Sequence, residues 1–171
     1  MLQRDGDVRD VDGLSYLYFY GVPSGNYFVS VRHRNHLGII TAASHLLSPA
    51  PTYIDFTNPL TPVNGEGADI ELDGKMALWA GDMNGDGLVI YQGPWNDVLS
   101  MFQTVIVNED NLNLLANFIV PGYDMTDFNM DGKVIYQGPN NDKAKLLINA
   151  TLASPENILG LANFVIFQKL P

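Results

Sequence analysis

Along the first eighty positions, short apolar or aromatic runs alternate with turn residues. Leu14-Ser15-Tyr16-Leu17-Tyr18-Phe19-Tyr20 precedes Gly21-Val22-Pro23-Ser24-Gly25-Asn26, and the run 27–34 follows. In that run Phe28, Ser30, Arg32 and Arg34 fall on one face and Tyr27, Val29, Val31 and His33 on the other. A period of two in β-branched and aromatic residues, bounded by Gly, Pro and Asn, predicts strands joined by a turn. Leu37–Ala42, Thr52–Phe56, Ala68–Leu72 and Met76–Ala80 predict further strands. Strands at intervals of roughly ten residues predict a small Ig-like β-sandwich over residues 1–80.

Beyond residue 80 the period lengthens. Val98, Leu99, Phe102, Val105 and Ile106 recur at helical spacing, as do Leu112, Leu115, Ala116 and Ile119, which Pro121-Gly122 terminates. Ile158, Leu161, Ala162 and Val165 repeat the stripe, with Ser154 as the expected N-cap and Pro155 at the first helical position. The segment is duplicated. Asp82–Asp97 reads DMNGDGLVIYQGPWND and Asp127–Asp142 reads DFNMDGKVIYQGPNND, with twelve of sixteen positions identical at an offset of 45. Leu115-Ala116-Asn117-Phe118 recurs as Leu161-Ala162-Asn163-Phe164 at an offset of 46. The same internal order twice means one structural unit used twice, so a second domain is expected over 81–171, with repeats 81–125 and 126–171. The expected class is mainly β plus α.

Each repeat opens with D-x-N-x-D-G. In a calcium loop the side chains at positions 1, 3 and 5 point at one ion, position 6 needs Gly for the sharp turn, and position 7 offers its backbone carbonyl. The candidate ligands are therefore Asp82, Asn84, Asp86 and the Leu88 carbonyl, then Asp127, Asn129, Asp131 and the Lys133 carbonyl. Val89 and Val134 at position 8 suit pairing of the two loops across a short strand. Position 12 departs from the pattern, holding Gly93 and Gly138 rather than an acid. A four-residue expansion moves the closing carboxylate to Asp97 and Asp142. Asn96 and Asn141 are the alternative ligands, and either pair is also placed to cap a helix. Oxygen ligands without His or Cys select a hard ion, and a flexible loop favours calcium over magnesium, so two calcium ions are expected.

Charge and composition narrow the rest. Nineteen acidic against nine basic residues leave a formal charge of -10, which opposes nucleic acid and anionic lipid alike. Two bound ions would offset four of those charges, so the ion-free chain is expected to suffer self-repulsion. No apolar run is long enough for membrane insertion. The chain has no cysteine, which removes disulfides, thiol catalysis and thiolate metal sites. At 46% hydrophobic and 16% charged it can bury a sizeable core.

The duplicated D-x-N-x-D-G-x-V loop followed by a helix resembles the dockerin type I repeat, an EF-hand loop lacking its entering helix. Nearly the whole chain also resembles C-terminal regions of large secreted surface proteins of Bacteroidota, including gliding and type IX-exported proteins. The carrying segments are 2–8 (LQRDGDV), 25–38 (GNYFVSVRHRNHLG), 77–82 (ALWAGD) and both loops. The resemblance implies a secreted, extracellular or cell-surface location and a structural or adhesive role. Dockerin partner-contact residues lie on the helices and find no match here.

Other clusters have plainer readings. His33 and His36 form an H-x-x-H pair with His45 nearby, expected to be packed and hydrogen-bonded rather than metal-binding. Asp5, Asp7, Asp10 and Asp12 read as a solvated edge, Asn149-Ala150-Thr151 as a sequon on a helix surface, and Arg32 and Arg34 as solvated charges that are also able to grip a carboxylate. Tyr16, Tyr18 and Tyr20 alternate on one strand face, expected to pack on a sheet; with Trp95 they are the basis of a carbohydrate-binding reading. No G-x-S-x-G elbow, phosphate-cradling loop or H-E-x-x-H motif is present, so no enzymatic activity is expected. The expectation is a calcium-rigidified adhesin or filament subunit whose partner is itself, as a homo-oligomer or helical filament, by β-strand addition. The chain opens almost directly on a candidate strand without a leader, which suits a processed or partial chain whose open sheet edge a neighbour fills. The alternative is a dockerin-like module that anchors a larger protein to a cohesin-like or other surface protein.

Overall fold

The computed structural model describes residues 7–170. Residues 2–6, which include Asp5 and most of the first segment carrying the resemblance, lie outside the described residues. The alternation read in the run 27–34 is real. Tyr27, Val29, Val31 and His33 turn inward while Phe28, Ser30, Arg32 and Arg34 are exposed. The run is divided, however, between β1 (Gly25–Tyr27) and β2 (Ser30–His33). β2 folds back on β3 (His36–Ile40), and β1 pairs with β4 (His45–Leu47). The hairpin of β5 (Asp69–Leu72) and β6 (Lys75–Leu78) follows the predicted segments, turning through Asp73-Gly74, both at positive φ.

Two predicted strands do not form. Residues 14–20 make only the isolated bridge of Tyr16 with Arg9, and 52–56 joins no ladder. Tyr16, Tyr18 and Tyr20 consequently stay exposed instead of packing on a sheet. No two-sheet sandwich is assembled among the described residues. The strands pair two by two in antiparallel ladders, which makes the fold β-rich without an Ig-like arrangement.

In the second half β7 (Leu88–Ile90) leads into α1 (Asp97–Ile106), and β9 (Lys133–Ile135) leads into α2 (Asp142–Leu146). α2 continues as a π-helical turn over Leu147–Thr151. The trailing segments of the repeats correct the second helical expectation. Neither 112–119 nor 158–165 is a helix; they are successive turns ending in β8 (Ile119–Pro121) and β10 (Val165–Phe167). Asn111, Leu114 and Phe118 each donate a backbone N–H to the carbonyl three residues back, as do Asn157, Gly160 and Phe164. Apolar residues spaced by such three-residue turns imitate a helical stripe. Ser154 is buried at the start of one of these turns and caps no helix.

Asn111 and Asn157, which the apolar pattern passes over, account for the change of direction. Asn111 Nδ2 donates to the Val105 and Leu115 carbonyls, and its Oδ1 accepts from Leu115 N–H. Asn157 makes the same three bonds, with Thr151 O and with both backbone groups of Leu161. Each buried amide occupies a carbonyl left open at the end of the helical segment and clamps the turn behind it.

The two loop strands do not pair with each other, contrary to the expectation for Val89 and Val134. β7 pairs with β10, Val89 opposite Ile166, and β9 pairs with β8, Val134 opposite Val120. Each repeat thus receives its second strand from the other. Val89, Val134, Met101, Val105 and Leu146 are fully buried at the centre of this exchange. Leu37, Ile70 and Trp79 belong to the same apolar cluster, so the core runs across residue 80. Backbone bonds from Leu37 N–H to Trp79 O and from Gly81 N–H to Asn35 O fasten the halves, and Gly38 N–H donates to Gln168 Oε1.

Candidate metal centre

Each loop runs directly into a buried strand, so its first residue sits at the edge of the core. Asp82 is 6% exposed and Asp127 is fully buried. The conformation is that of the D-x-N-x-D-G turn: Gly87 and Gly132 at position 6 have φ of +81° and +83°, where a side chain would be strained. Their N–H groups donate to Asp82 Oδ2 at 3.1 Å and Asp127 Oδ2 at 3.0 Å. Asn84 Oδ1 accepts from Asp86 N–H and Asn129 Oδ1 from Asp131 N–H. Asp86 Oδ1 accepts from Leu88 N–H, and Asn84 Nδ2 donates to Asp86 Oδ2. Positions 1, 3 and 5 are thereby ordered around one turn.

Asn96 and Asn141 are helix caps. Asn96 Oδ1 accepts from Leu99 N–H, Asn141 Oδ1 from Ala144 N–H, and both residues have extended backbone angles. The cap turns the next residue, Asp97 or Asp142, back under the loop. Asp97 is 1% exposed, its Oδ1 accepting from Met83 N–H and its Oδ2 from Ile90 N–H, each at 2.7 Å. Asp142 is fully buried and accepts from Ile135 N–H at 2.8 Å and from Asn129 N–H at 3.4 Å. The acid at position 16 therefore stitches the start of its own loop to the strand that leaves it.

Burial of carboxylates beside carboxylates has the expected electrostatic result. Desolvation pushes Asp97 up to about 7, and Asp82 and Asp86 add to the rise against the pull of two backbone N–H bonds. Burial likewise raises Asp82, Asp127 and Asp142, each with a further push from an acid of its own loop. A cation among these groups would restore their charged forms. Asp82 Oδ1 is buried and has no hydrogen-bond partner, an oxygen left open at position 1 of the first loop. That donor set is hard oxygen throughout and fits calcium in kind. Among the described residues no three His, Asp or Glu side chains are drawn together as a metal cluster; the acids are distributed over backbone N–H groups instead.

The remaining candidates resolve as ordinary structure. His33 and His36 lie edge to face with Nδ1 atoms 2.8 Å apart, and His36 Nδ1 is also 2.8 Å from Asn35 Oδ1. His45 lies in β4 opposite Tyr27. Asp12 caps a turn through Leu14 N–H, Ser15 N–H and the Ser15 hydroxyl, which hold its carboxyl down at about 2. Asp10 accepts from Val11 N–H, and Asp7 pairs with Arg9. Asn149 is exposed on the π-helical turn. Arg34 does stand beside a carboxylate, that of Asp127, with Nη2 3.9 Å from Oδ2, too far for a hydrogen bond. Its neighbour Asn35, which sequence reasoning missed, is fully buried and donates from Nδ2 to the Asp127 carbonyl.

No family model, curated protein or solved structure matches the chain. No helix among the described residues is long and apolar enough to cross a membrane.

Proposed function

We propose that the chain is a non-catalytic, calcium-stabilised structural subunit of the secreted, dockerin-like type, in which two ions rigidify the interlocked repeats. The observation that carries this reading is the buried, unpartnered Oδ1 of Asp82 at position 1 of a loop whose design is repeated at Asp127. Asp82, Asn84, Asp86, Leu88 O and Asp97 would hold one ion, and Asp127, Asn129, Asp131, Lys133 O and Asp142 the other. Calcium supplies positive charge where the chain buries four acids. Each repeat anchors the strand of the other, so an ion in either loop stiffens both.

Self-assembly by strand addition is the associated proposal. It is supported by ladders of two strands only, whose outer edges can accept a strand from another copy. The test is light scattering and negative-stain microscopy of the chain in calcium and then in excess EGTA. Calcium-dependent filaments or large oligomers support the subunit reading. A particle that stays monomeric in calcium while losing thermal stability on chelation removes self-assembly and leaves the structural ions.

A second reading, a dockerin-like docking module, is favoured by one specific observation. Both repeats expose the same apolar position, Leu112 at 87% and Ile158 at 88%, with Leu115 and Leu161 exposed beside them. A monomer that binds a surface receptor through these residues, and loses binding when both are changed to Ser, is the outcome that selects it.

A further inference from the structure

We propose that the two loops are unequal cation sites and that Arg34 sets the difference: the Asp82 loop fills first and more tightly, and the Asp127 loop fills second, against a guanidinium carried by the β2–β3 turn. This rests on the cation reading of the loops.

The ligand sets read from the sequence are the same, so the inequality comes from what surrounds them. Asp82 keeps one buried oxygen without a hydrogen-bond partner, with the Gly85 and Asp86 N–H groups near its carboxylate. Asp127 keeps none. Its Oδ1 accepts from Asp131 N–H, its Oδ2 accepts from Gly132 N–H, and Arg34 Nη2 stands 3.9 Å from Oδ2. Among the described residues, Asp127 is the one loop acid with an ion-pair partner. In the second loop the unpartnered buried atom is a donor, Asn129 Nδ2, which has nothing to offer a cation.

Arg34 has one further contact, and its turn is tied to the second loop. Its guanidinium lies over the Tyr123 ring, 5.5 Å from the centroid, and the next residue is pinned by the bond from Asn35 Nδ2 to Asp127 O at 2.9 Å. The wider field has the same sign. Where the first repeat has Leu88, Val98 and Ser100, the second has Lys133, Lys143 and Lys145. Lys143 is held over the Tyr136 ring at 4.4 Å. Positive charge within a few ångströms of a carboxylate competes directly with a divalent ion. Filling the second loop therefore works against the Arg34 charge and is felt at the β2–β3 turn, whereas filling the first is not.

One residue makes the sites distinguishable in the intact chain. Trp95 is 80% exposed and its carbonyl accepts from Asn84 Nδ2 at 3.1 Å; the second loop has Asn140 at that place. Terbium emission excited through tryptophan then reports the first loop, with Trp95→Phe separating its signal from that of Trp79. Equilibrium dialysis of terbium counts both sites. In the wild type the sensitised emission should saturate with the first equivalent while dialysis continues to a second, weaker one. Arg34→Gln should tighten the second equivalent roughly tenfold and leave the first unchanged, and Arg34→Lys should stay near the wild type. Equal affinities in the wild type, emission that follows the weaker equivalent, or a second site indifferent to Arg34→Gln would each overturn the proposal. The wild-type filling order tests it even if the variants fail to fold. A dialysis curve flat for both equivalents is a different failure, that of the cation reading itself.

Discussion

Met130 and Leu114 carry backbone angles that their side chains resist. Met130 sits at φ +57° in the second loop where the first has Gly85, and Leu114 sits at φ +52° where the second repeat has Gly160. The left-handed region costs a residue with a Cβ about 1–2 kcal/mol, partly offset by the greater freedom of Gly in the unfolded chain. Leu114→Gly, exposed and without a core role, should therefore raise the unfolding free energy by about 0.5–1 kcal/mol in urea titration. Asn111 has the opposite sensitivity. Its removal strands the Val105 carbonyl and the Leu115 N–H, so Asn111→Ala should lose on the order of 2–3 kcal/mol in the same assay. The loop acids were legible in the sequence because their chemistry and spacing are local. Asn35 and Asn111 were not, because their partners are set by tertiary contact, and Arg34 was legible only as a charge able to meet some carboxylate, without Asp127 as the one it meets; the recurrence of Asn111 at Asn157 was the one sequence signal for the two asparagines.

Elements show the same division. α1 formed where its apolar period and cap residue foretold it, and β5 and β6 formed within two residues of their predicted bounds. The false helices failed because a buried amide ends the true one and the chain then advances in three-residue turns. The π-helical turn after α2 gave no signal in its composition. At the turn between β2 and β3, burial, His33 and the Arg34 charge depress His36 to about 4, with Asn35 Oδ1 at its Nδ1. A histidine held below its unfolded value leaves the unfolded chain binding more protons between about 6.5 and 4, so stability falls as pH drops through that window and levels below it. Relative to His36→Gln, the wild type should lose about 2 kcal/mol across that range, read as the difference between two urea series at each pH. No pH-dependent difference between the two proteins would mean that the ring is solvated.

For the whole molecule, the division at residue 80 marks a change of pattern through which one apolar cluster passes. Sequence patterning reached Leu37, Ile70, Trp79, Val89, Val105 and Val134 of that cluster and passed over Met101, Leu146 and Ile166; it did not reveal that Leu37 and Trp79 share it with Val89 and Met101, since burial across halves leaves no local period. If ions fill the loops, stabilisation follows mass action, about 2.7 kcal/mol per site at a hundredfold excess over Kd. Calorimetric Tm should then climb by several degrees with calcium and fall back with EGTA. Asp82→Asn, which keeps the size of the side chain, should remove a larger part of that rise than Asp127→Asn.

The reciprocal pairing of β7 with β10 and β8 with β9 has a consequence for what one repeat could do alone. A chain holding a single repeat would own a loop strand and a trailing strand that cannot satisfy each other, and a second copy would supply both missing partners at once. The pairing is the exchange that two copies of a single repeat would make, here closed within one polypeptide. Joining the two repeats in one chain frees them from identity: a true dimer must carry every substitution twice, whereas here Leu88 and Lys133, or Val98 and Lys143, differ at matching positions within one closed framework.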